Sequence, residues 1–190
     1  QAVSEQYHTK IITTSPKAHI TGAMRIEFDE HNALEIAKQI VRVAIDNFPN
    51  RKKEEVRIPD YVDRLVAGFS HEYIAYMQGG GLRESFRPLN DAIMAGRIRG
   101  AAGVVGCNNP RVTHDDPHLY IVKELIKNDV LVVTTGCNAI ACAKQGLLTP
   151  EVMDYCGPGL KEVCQTIGVP PVLHMGSCVD ISRILVACGA

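Results

Sequence analysis

The stretch VLVVTTGCNA, residues 130–139, decides the fold because an apolar run of strand length stops abruptly at a glycine and a cysteine. Two other stretches stop in the same way. GVVGCNNPR, residues 103–111, ends its apolar run at Cys107, and PVLHMGSCVD, residues 171–180, ends at Cys178. Short apolar runs bounded by glycine are typical of buried strands. Each stretch is therefore interpreted as a strand that delivers a thiol at its carboxyl end.

Helical periodicity separates these strands. The strands are predicted at 99–105, 130–134 and 171–175, and the helices at 117–128, 138–146, 158–167 and 179–188. Alternation of this kind indicates a parallel sheet, and right-handed crossovers place helices on both of its faces. The predicted class is α/β, a doubly wound, Rossmann-like parallel sheet. Ligands collect at the carboxyl edge of such sheets, so we expect the sulfurs of Cys107, Cys137 and Cys178 within about 10 to 12 Å of each other.

The first half of the chain has weaker patterns. Strands are predicted at 8–14, 24–28 and 63–70, helices at 32–48, 71–78 and 83–95, and a charged loop at 49–57. Asn32 and Glu35 have the spacing of a capping box, which predicts the start of the first helix. The three glycines at 79–81 follow a helix and lack the lysine of a phosphate-binding loop, so they are interpreted as a flexible turn.

Composition excludes several function classes. The chain has 190 residues, a formal net charge of −1 and 7 cysteines. The balanced charge argues against a nucleic-acid partner, and no apolar run reaches the length of a membrane span. An odd number of cysteines without a signal pattern argues against a disulfide framework and favours a cytoplasmic protein. Because residue 1 is Gln and the end reads as mid-helix, we expect a piece cut from a longer chain.

A thiolate is a soft ligand for iron, nickel, copper(I) and zinc, and a helix N-terminus stabilises its charge. We expect all three strand-end cysteines at such termini, with preceding glycines that leave backbone N–H groups open. Neutral donors are expected nearby from Asn108, Asn109, Asn138 and Ser177. The pattern favours a metal-sulfur cluster between strand ends. The alternative for any one cysteine is simple burial as a small apolar side chain.

The remaining cysteines and the histidines have less specific patterns. Burial is the preferred interpretation for the four other cysteines: Cys142, Cys156, Cys164 and Cys188. No C-x-x-C pair and no ferredoxin spacing is present, so neither a local zinc site nor a standard ferredoxin site is predicted. His174 is interpreted as a satisfied core histidine. His114 and His118, which flank Asp115 and Asp116, are interpreted as residues of a solvated loop and helix start.

The strings GVVGCNNPRVTHD, KELIKNDVLVVTTGC and VLHMGSCVDISR closely resemble the C-terminal Rossmann-like region of nickel-containing anaerobic carbon monoxide dehydrogenase, and TSPKAHITGA resembles the segment before it. The resemblance implies that residues 1–50 end a preceding Rossmann-like domain or leading segment, and that residues 51–190 belong to an incomplete C-terminal cluster-binding domain. It implies that Cys107 and Cys137 bind iron of a Ni-Fe-S cluster, the C-cluster, and that Cys178 binds nickel.

Members of that family oxidise CO with water to CO2 at this cluster. The resemblance implies further 4Fe-4S clusters elsewhere in the parent protein, a homodimer, a ferredoxin-like electron acceptor and an association with acetyl-CoA synthase in some members. The resemblance also implies that the other cluster ligands and the acid-base lysine lie outside these 190 residues, so the piece alone is expected to bind no cluster and to be inactive. Two alternatives stay open: a hybrid-cluster protein with hydroxylamine reductase activity, and a scaffold domain that holds no metal.

Overall fold

The computed structural model describes residues 10–15, 17 and 20–189, apart from the side chain of Glu55. The chain divides into two compact units, residues 1–61 and 62–190. In the first unit, strands β1 (Ile12–Thr13) and β2 (Met24–Arg25) pair in parallel, and helix α1 (Ala33–Asn47) follows. These elements agree with the predicted ones but the strands are shorter, and residues 8 and 9 of the first predicted strand lie outside the described residues. The division of the parent protein at residue 50 stays a prediction.

The predicted capping box at Asn32 is wrong. Asn32 makes no side-chain cap hydrogen bond to α1. Instead, the Asp29 carboxylate accepts a hydrogen bond from the backbone N–H of His31 at 3.0 Å, and a short 3-10 turn over Glu30–Asn32 leads into α1. Because Asn32 already belongs to that turn, the capping position falls three residues earlier, at Asp29.

The second unit contains the three-stranded sheet that carries the cysteines. Its elements are α2 (His71–Gly79), α3 (Arg87–Met94), β3 (Gly100–Val104), α4 (Asp116–Lys127), β4 (Val130–Thr135), α5 (Gly136–Lys144), α6 (Pro158–Ile167), β5 (Val172–Gly176) and α7 (Ile181–Cys188). The strands are parallel in the order β3-β4-β5. The predicted α/β class is therefore confirmed, as are the three strands predicted at 99–105, 130–134 and 171–175. None of the helices in the described part of the chain has the length and apolar character that a membrane crossing needs.

Helices cover both faces of the central strand β4. Leu131 and Val133 point to one face, where they line an apolar cavity of about 250 Å³ together with side chains of α2, α3 and α7. Val132 alternates to the other face, and α4 and α5 pack against β4. The side chains of Val132, Val122 and Ile126 are completely buried, and the core continues on the opposite face of β4, where Leu131 and Val133 are buried as well.

The strand predicted at 63–70 is wrong, because this segment forms no ladder. It has only isolated backbone hydrogen bonds: the N–H of Val66 donates to the carbonyl of Leu148 at 2.7 Å, and those of Gly68 and Phe69 both donate to the carbonyl of His174 at 3.1 Å. Two donors that share one acceptor cannot continue a parallel ladder, in which each carbonyl accepts in turn. The helix predicted from residue 83 begins at Arg87, with a proline in its first turn.

A bulge offsets the end of β5. Thr134 pairs with His174, but Thr135 pairs with Gly176, so Met175 is one residue extra on β5. Bulges bend a strand and change the direction of the residues that follow. This one lies directly before the turn that carries Cys178.

Candidate metal centre

The three strand-end cysteines converge at the carboxyl edge of the sheet. Cys107 follows β3, Cys137 is the second residue of α5, and Cys178 begins the 3-10 turn Cys178–Asp180 after β5. The sulfurs of Cys107 and Cys137 are 3.8 Å apart. The sulfur of Cys178 lies directly over Gly136, the neighbour of Cys137. The three sulfurs therefore converge at one edge of the sheet, as predicted.

Exposure separates these cysteines from most of the others. Cys107 and Cys178 are exposed and Cys137 is partly exposed. Cys142 and Cys164 are buried and Cys156 is half-buried, as expected of packing residues, whereas Cys188 is exposed, contrary to expectation. The three converging thiols are therefore open to a ligand.

Glycine is needed at two of the strand ends. Gly136 has a φ of +57° and Gly176 a φ of +151°, conformations that side chains disfavour. A Cβ atom on Gly136 would overlap the sulfur of Cys178, and one on Gly176 would overlap the carboxylate of Asp180. The two glycines thus leave the space that Cys178 and its turn occupy.

Only two of the three strand-end cysteines lie at the start of a helical turn, as predicted. Cys137 lies in the first turn of α5, and Cys178 lies in a three-residue 3-10 turn. Cys107 does not lie at a helix start, since residues 105–115 contain no helix or strand and α4 begins only at Asp116. No helix therefore begins at Cys107 itself, and other contacts must hold this loop.

Two of the residues expected as neutral donors, Asn108 and Asn138, form hydrogen bonds within the protein itself. The side-chain nitrogen of Asn108 donates to Asp115 Oδ1 at 2.8 Å, and its oxygen accepts from the Asp115 N–H at 2.7 Å. The nitrogen of the buried Asn138 donates to the carbonyl of Val104 at 3.0 Å and to Thr134 Oγ1 at 2.6 Å. These residues hold the strand ends and the Cys107 loop rather than a bound ligand.

The turn at Cys178 is fixed in the same way. Asp180 Oδ2 accepts from the backbone N–H of Ser177 at 2.8 Å and from its hydroxyl at 3.1 Å. These two contacts lower the pKa of Asp180, the backbone N–H first. Arg183 lies 3.3 Å from Asp180 Oδ1 and 3.1 Å from Glu72 Oε1 in α2. Ionised Asp180 thus ties the residue before Cys178 to the start of α7.

The thiols affect each other's charge. The contact with the Cys107 thiol and the charge of its thiolate raise the pKa of Cys137, with smaller contributions from burial, Cys178 and Asp115. Two thiolates at this separation repel each other unless a cation lies near both. The arrangement therefore favours either protonated thiols or a bound metal.

Asp115 is the residue of this edge whose contacts the sequence interpretation missed. Its side chain is not solvated, since the residue is 7% exposed. Contact with Lys144 lowers the pKa of this carboxyl most, followed by the hydrogen bond from Asn108. An aspartate just before a proline-containing first turn is an ordinary helix-start pattern, so nothing in the local sequence distinguishes it.

The histidines also differ from expectation. The Nδ1 atoms of His174 and His118 are buried without a hydrogen-bond partner among the described residues. His174 is therefore not a satisfied core histidine, and His118 is half-buried rather than solvated. His114 is exposed, as expected, and lies 3.3 Å from Asp115 Oδ1.

No three His, Cys, Asp or Glu side chains of the described residues close around one metal-ion position. A group held by Cys107, Cys137 and Cys178 would therefore need several metal centres or further ligands. The donor set itself fits soft metals, because it consists of thiols alone.

The fold and this edge define an α/β protein whose sheet carries a cysteine-lined carboxyl end. The sequence profile of the Prismane/CO dehydrogenase family matches residues 1–190, and the chain belongs to that family. It is 57% identical over 184 residues to carbon monoxide dehydrogenase 1 of Methanosarcina mazei, covering 97% of this chain and 29% of the relative. It is 47% identical over 192 residues to carbon monoxide dehydrogenase 1 of Carboxydothermus hydrogenoformans, covering 96% of this chain and 30% of that protein.

Solved structures agree with these relatives. The as-isolated, nickel-free carbon monoxide dehydrogenase of Thermococcus sp. AM4, produced without the CooC maturase, superposes with a TM-score of 0.82 at 53% identity, covering 98% of this chain and 29% of that one. An acetyl-CoA synthase/carbon monoxide dehydrogenase, described with NiZn[Fe4S4] and NiNi[Fe4S4] clusters in its alpha subunits, gives a TM-score of 0.78 at 43% identity, covering 97% of this chain and 29% of that one. The chain thus spans about 29% of the length of these relatives.

Proposed function

We propose that this chain is the part of a nickel-containing anaerobic carbon monoxide dehydrogenase that supplies three cysteine ligands to its Ni-Fe-S cluster. Cys107 and Cys137 hold iron, and Cys178 holds nickel. The observation that carries the proposal is the convergence of these thiols at one sheet edge, with two of them exposed and two of them 3.8 Å apart. The dehydrogenase relatives support the assignment and favour it over the hybrid-cluster alternative.

The residues present fit such a group. Thiolates are the preferred protein ligands of iron-sulfur clusters and of soft metals. Cys107 raises the pKa of Cys137, so metal cations would be needed to keep this pair as thiolates at neutral pH. Since the described thiols do not close around a single ion, the proposal assigns the remaining ligands to other parts of the parent chain. The piece alone is therefore expected to be inactive and to bind no cluster.

When bound, the cluster would supply the redox and Lewis-acid chemistry that converts CO and water to CO2, two protons and two electrons. The chain's own residues hold its ligands in place. Asn138 fixes the end of β3 against β4, and Asp180 with Arg183 fixes the turn of Cys178. The exposure of Cys107 and Cys178 leaves that side of the edge open to ligands from the parent chain.

The partners follow from the same proposal. They are the rest of the parent chain, a second copy of it, and a ferredoxin-like electron acceptor. One relative is named carbon monoxide dehydrogenase/acetyl-CoA synthase subunit beta, from Moorella thermoacetica, and a complex with acetyl-CoA synthase is a further proposal for the parent protein. The 4Fe-4S clusters elsewhere in that protein and its cytoplasmic location stay predictions.

The test is Cys178→Ala in the intact protein that carries this chain. We expect nickel per chain and CO-dependent reduction of a dye to fall at least about tenfold, because a methyl group cannot bind nickel. Iron content should change much less. Cys188→Ala is the matched control, since Cys188 is an exposed cysteine outside the three-thiol edge. Nickel and activity retained in Cys178→Ala would refute the assignment, and absence of iron and nickel from the unaltered protein would favour a metal-free scaffold.

A further inference from the structure

The loop that carries Cys107 is held by one carboxylate. Residues 105–115 contain no helix or strand, so their position depends on side-chain contacts. Asn108, the residue after Cys107, makes a reciprocal pair with Asp115: its oxygen accepts from the Asp115 N–H at 2.7 Å and its nitrogen donates to Asp115 Oδ1 at 2.8 Å. Asp115 therefore fixes the position of the residue directly beside the Cys107 thiol.

The same carboxylate also reaches the element that carries Cys137. Asp115 Oδ2 forms an ion pair with the ammonium group of Lys144, the last residue of α5. Cys137 lies in the first turn of that helix. One side chain thus connects the loop of the first thiol with the helix of the second, whose sulfurs are 3.8 Å apart.

This arrangement is costly for the folded state. Asp115 is not glycine, yet it has a φ of +67°, and its carboxylate belongs to a residue only 7% exposed. Left-handed backbone and buried charge both destabilise a protein unless specific contacts compensate, and such positions concentrate at functional sites. The contacts here all lead to the two thiol-bearing elements or to the adjacent His114, 3.3 Å from Oδ1.

We infer that Asp115 is a positioning residue that sets the separation of the Cys107 and Cys137 sulfurs and so prepares them for metal. The inference rests on the proposed function for its biological meaning. It concerns the separation of two thiols, however, and that separation is measurable without the cluster.

The test uses the intact protein after its metal has been removed with a chelator under anaerobic, reducing conditions. Phenylarsine oxide is the probe, because its arsenic forms two As–S bonds with a close pair of thiols and its oxygen leaves as water. Peptide mapping by mass spectrometry identifies the pair that is bridged. In Asp115→Ala we expect the affinity of the probe for the Cys107–Cys137 pair to fall about 10-fold or more, the range found when residues that support metal ligands are removed.

Two variants control for folding. Asp129→Ala is the matched control, because Asp129 also has a positive φ, +60°, and accepts a backbone hydrogen bond, from Leu160 at 2.8 Å, at the start of β4 rather than at its end. It should leave the probe affinity within about twofold of the unaltered protein, since its side chain contacts α6 and neither the Cys107 loop nor α5. Asp115→Asn keeps a residue that tolerates left-handed backbone and can still pair with Asn108, so it should restore part of the affinity lost in Asp115→Ala.

A second measurement is the electron paramagnetic resonance spectrum of the metal-loaded protein, which should change in Asp115→Ala and remain unchanged in Asp129→Ala. Unaltered probe affinity in a folded Asp115→Ala variant, or equal losses in both alanine variants, would overturn the inference. A different result would refute the proposed function. If the variants Cys107→Ser and Cys137→Ser keep their full iron content, these thiols do not bind the cluster, whatever the phenylarsine oxide experiment shows.

Discussion

Substitution of Gly136 by alanine tests whether the end of β4 was shaped to accommodate Cys178. Gly136 has a φ of +57°, and its added Cβ atom would overlap the sulfur of Cys178. Ordinary contact between nonbonded heavy atoms begins at about 3.5 Å, so the sulfur would have to move by about an ångström. Metal–sulfur distances tolerate only about 0.2 Å, so a displacement of this size removes Cys178 from its binding position.

Two effects of Gly136→Ala lower the free energy of unfolding. A left-handed conformation costs a residue with a side chain about 1 to 2 kcal/mol, and insertion of a methyl group into filled space costs about 1 to 3 kcal/mol. The free energy of unfolding should therefore fall by about 2 to 5 kcal/mol. Nickel content should fall about 10- to 100-fold, as when support of a metal ligand is lost. Urea unfolding of the metal-free protein and elemental analysis of the loaded protein measure the two effects separately.

Gly146 provides the control. It has a φ of +69°, yet a Cβ atom there would meet nothing within 4 Å. Gly146→Ala therefore carries the backbone cost of about 1 to 2 kcal/mol without the contact, and its nickel content should be unchanged. If Gly136→Ala matches Gly146→Ala in both stability and nickel, the close approach of Cys178 to Gly136 has no functional role and the reasoning is refuted.

Two further predictions concern the buried core of the second unit. Burial raises the pKa of Cys142 and Cys164 to about 12. These two thiols therefore stay protonated in the folded state, whereas in the unfolded state they lose their protons above about pH 8.5. The free energy of unfolding should therefore fall by about 1 to 2 kcal/mol per thiol between pH 8 and pH 10. Burial also raises the pKa of Cys156 to about 11, so in Cys164→Ala urea titrations of the metal-free protein should show a decline smaller by the contribution of one thiol, about 1 to 2 kcal/mol. An undiminished decline would contradict the assignment. Asn138→Leu leaves the carbonyl of Val104 and the hydroxyl of Thr134 without their donor. It should lower the free energy of unfolding by about 2 to 4 kcal/mol. A loss below about 1 kcal/mol would show that the strand ends do not need this amide.

The local sequence determined the sheet and the place of the three thiols. Apolar runs that stop at glycine predict strands, and alternation with helical periodicity predicts parallel pairing, because parallel strands need crossovers. Parallel strands share one carboxyl edge, so a cysteine after each of β3, β4 and β5 had to lie at that edge. The sequence alone therefore predicted that Cys107, Cys137 and Cys178 converge.

Only the tertiary structure decided how the edge is held. The bonds of Asp115 to Asn108 and Lys144, and of Asn138 to Val104, join residues that lie 7 to 34 positions apart in the chain. Local periodicity contains no information about such pairs, so the sequence interpretation expected the amides only as neutral donors near the thiols and assigned no role to Asp115. The segment 63–70 was mispredicted for the same reason: its N–H groups donate to the carbonyls of Leu148 and His174, which lie far away in the chain. A local pattern does not show which distant groups a segment will meet.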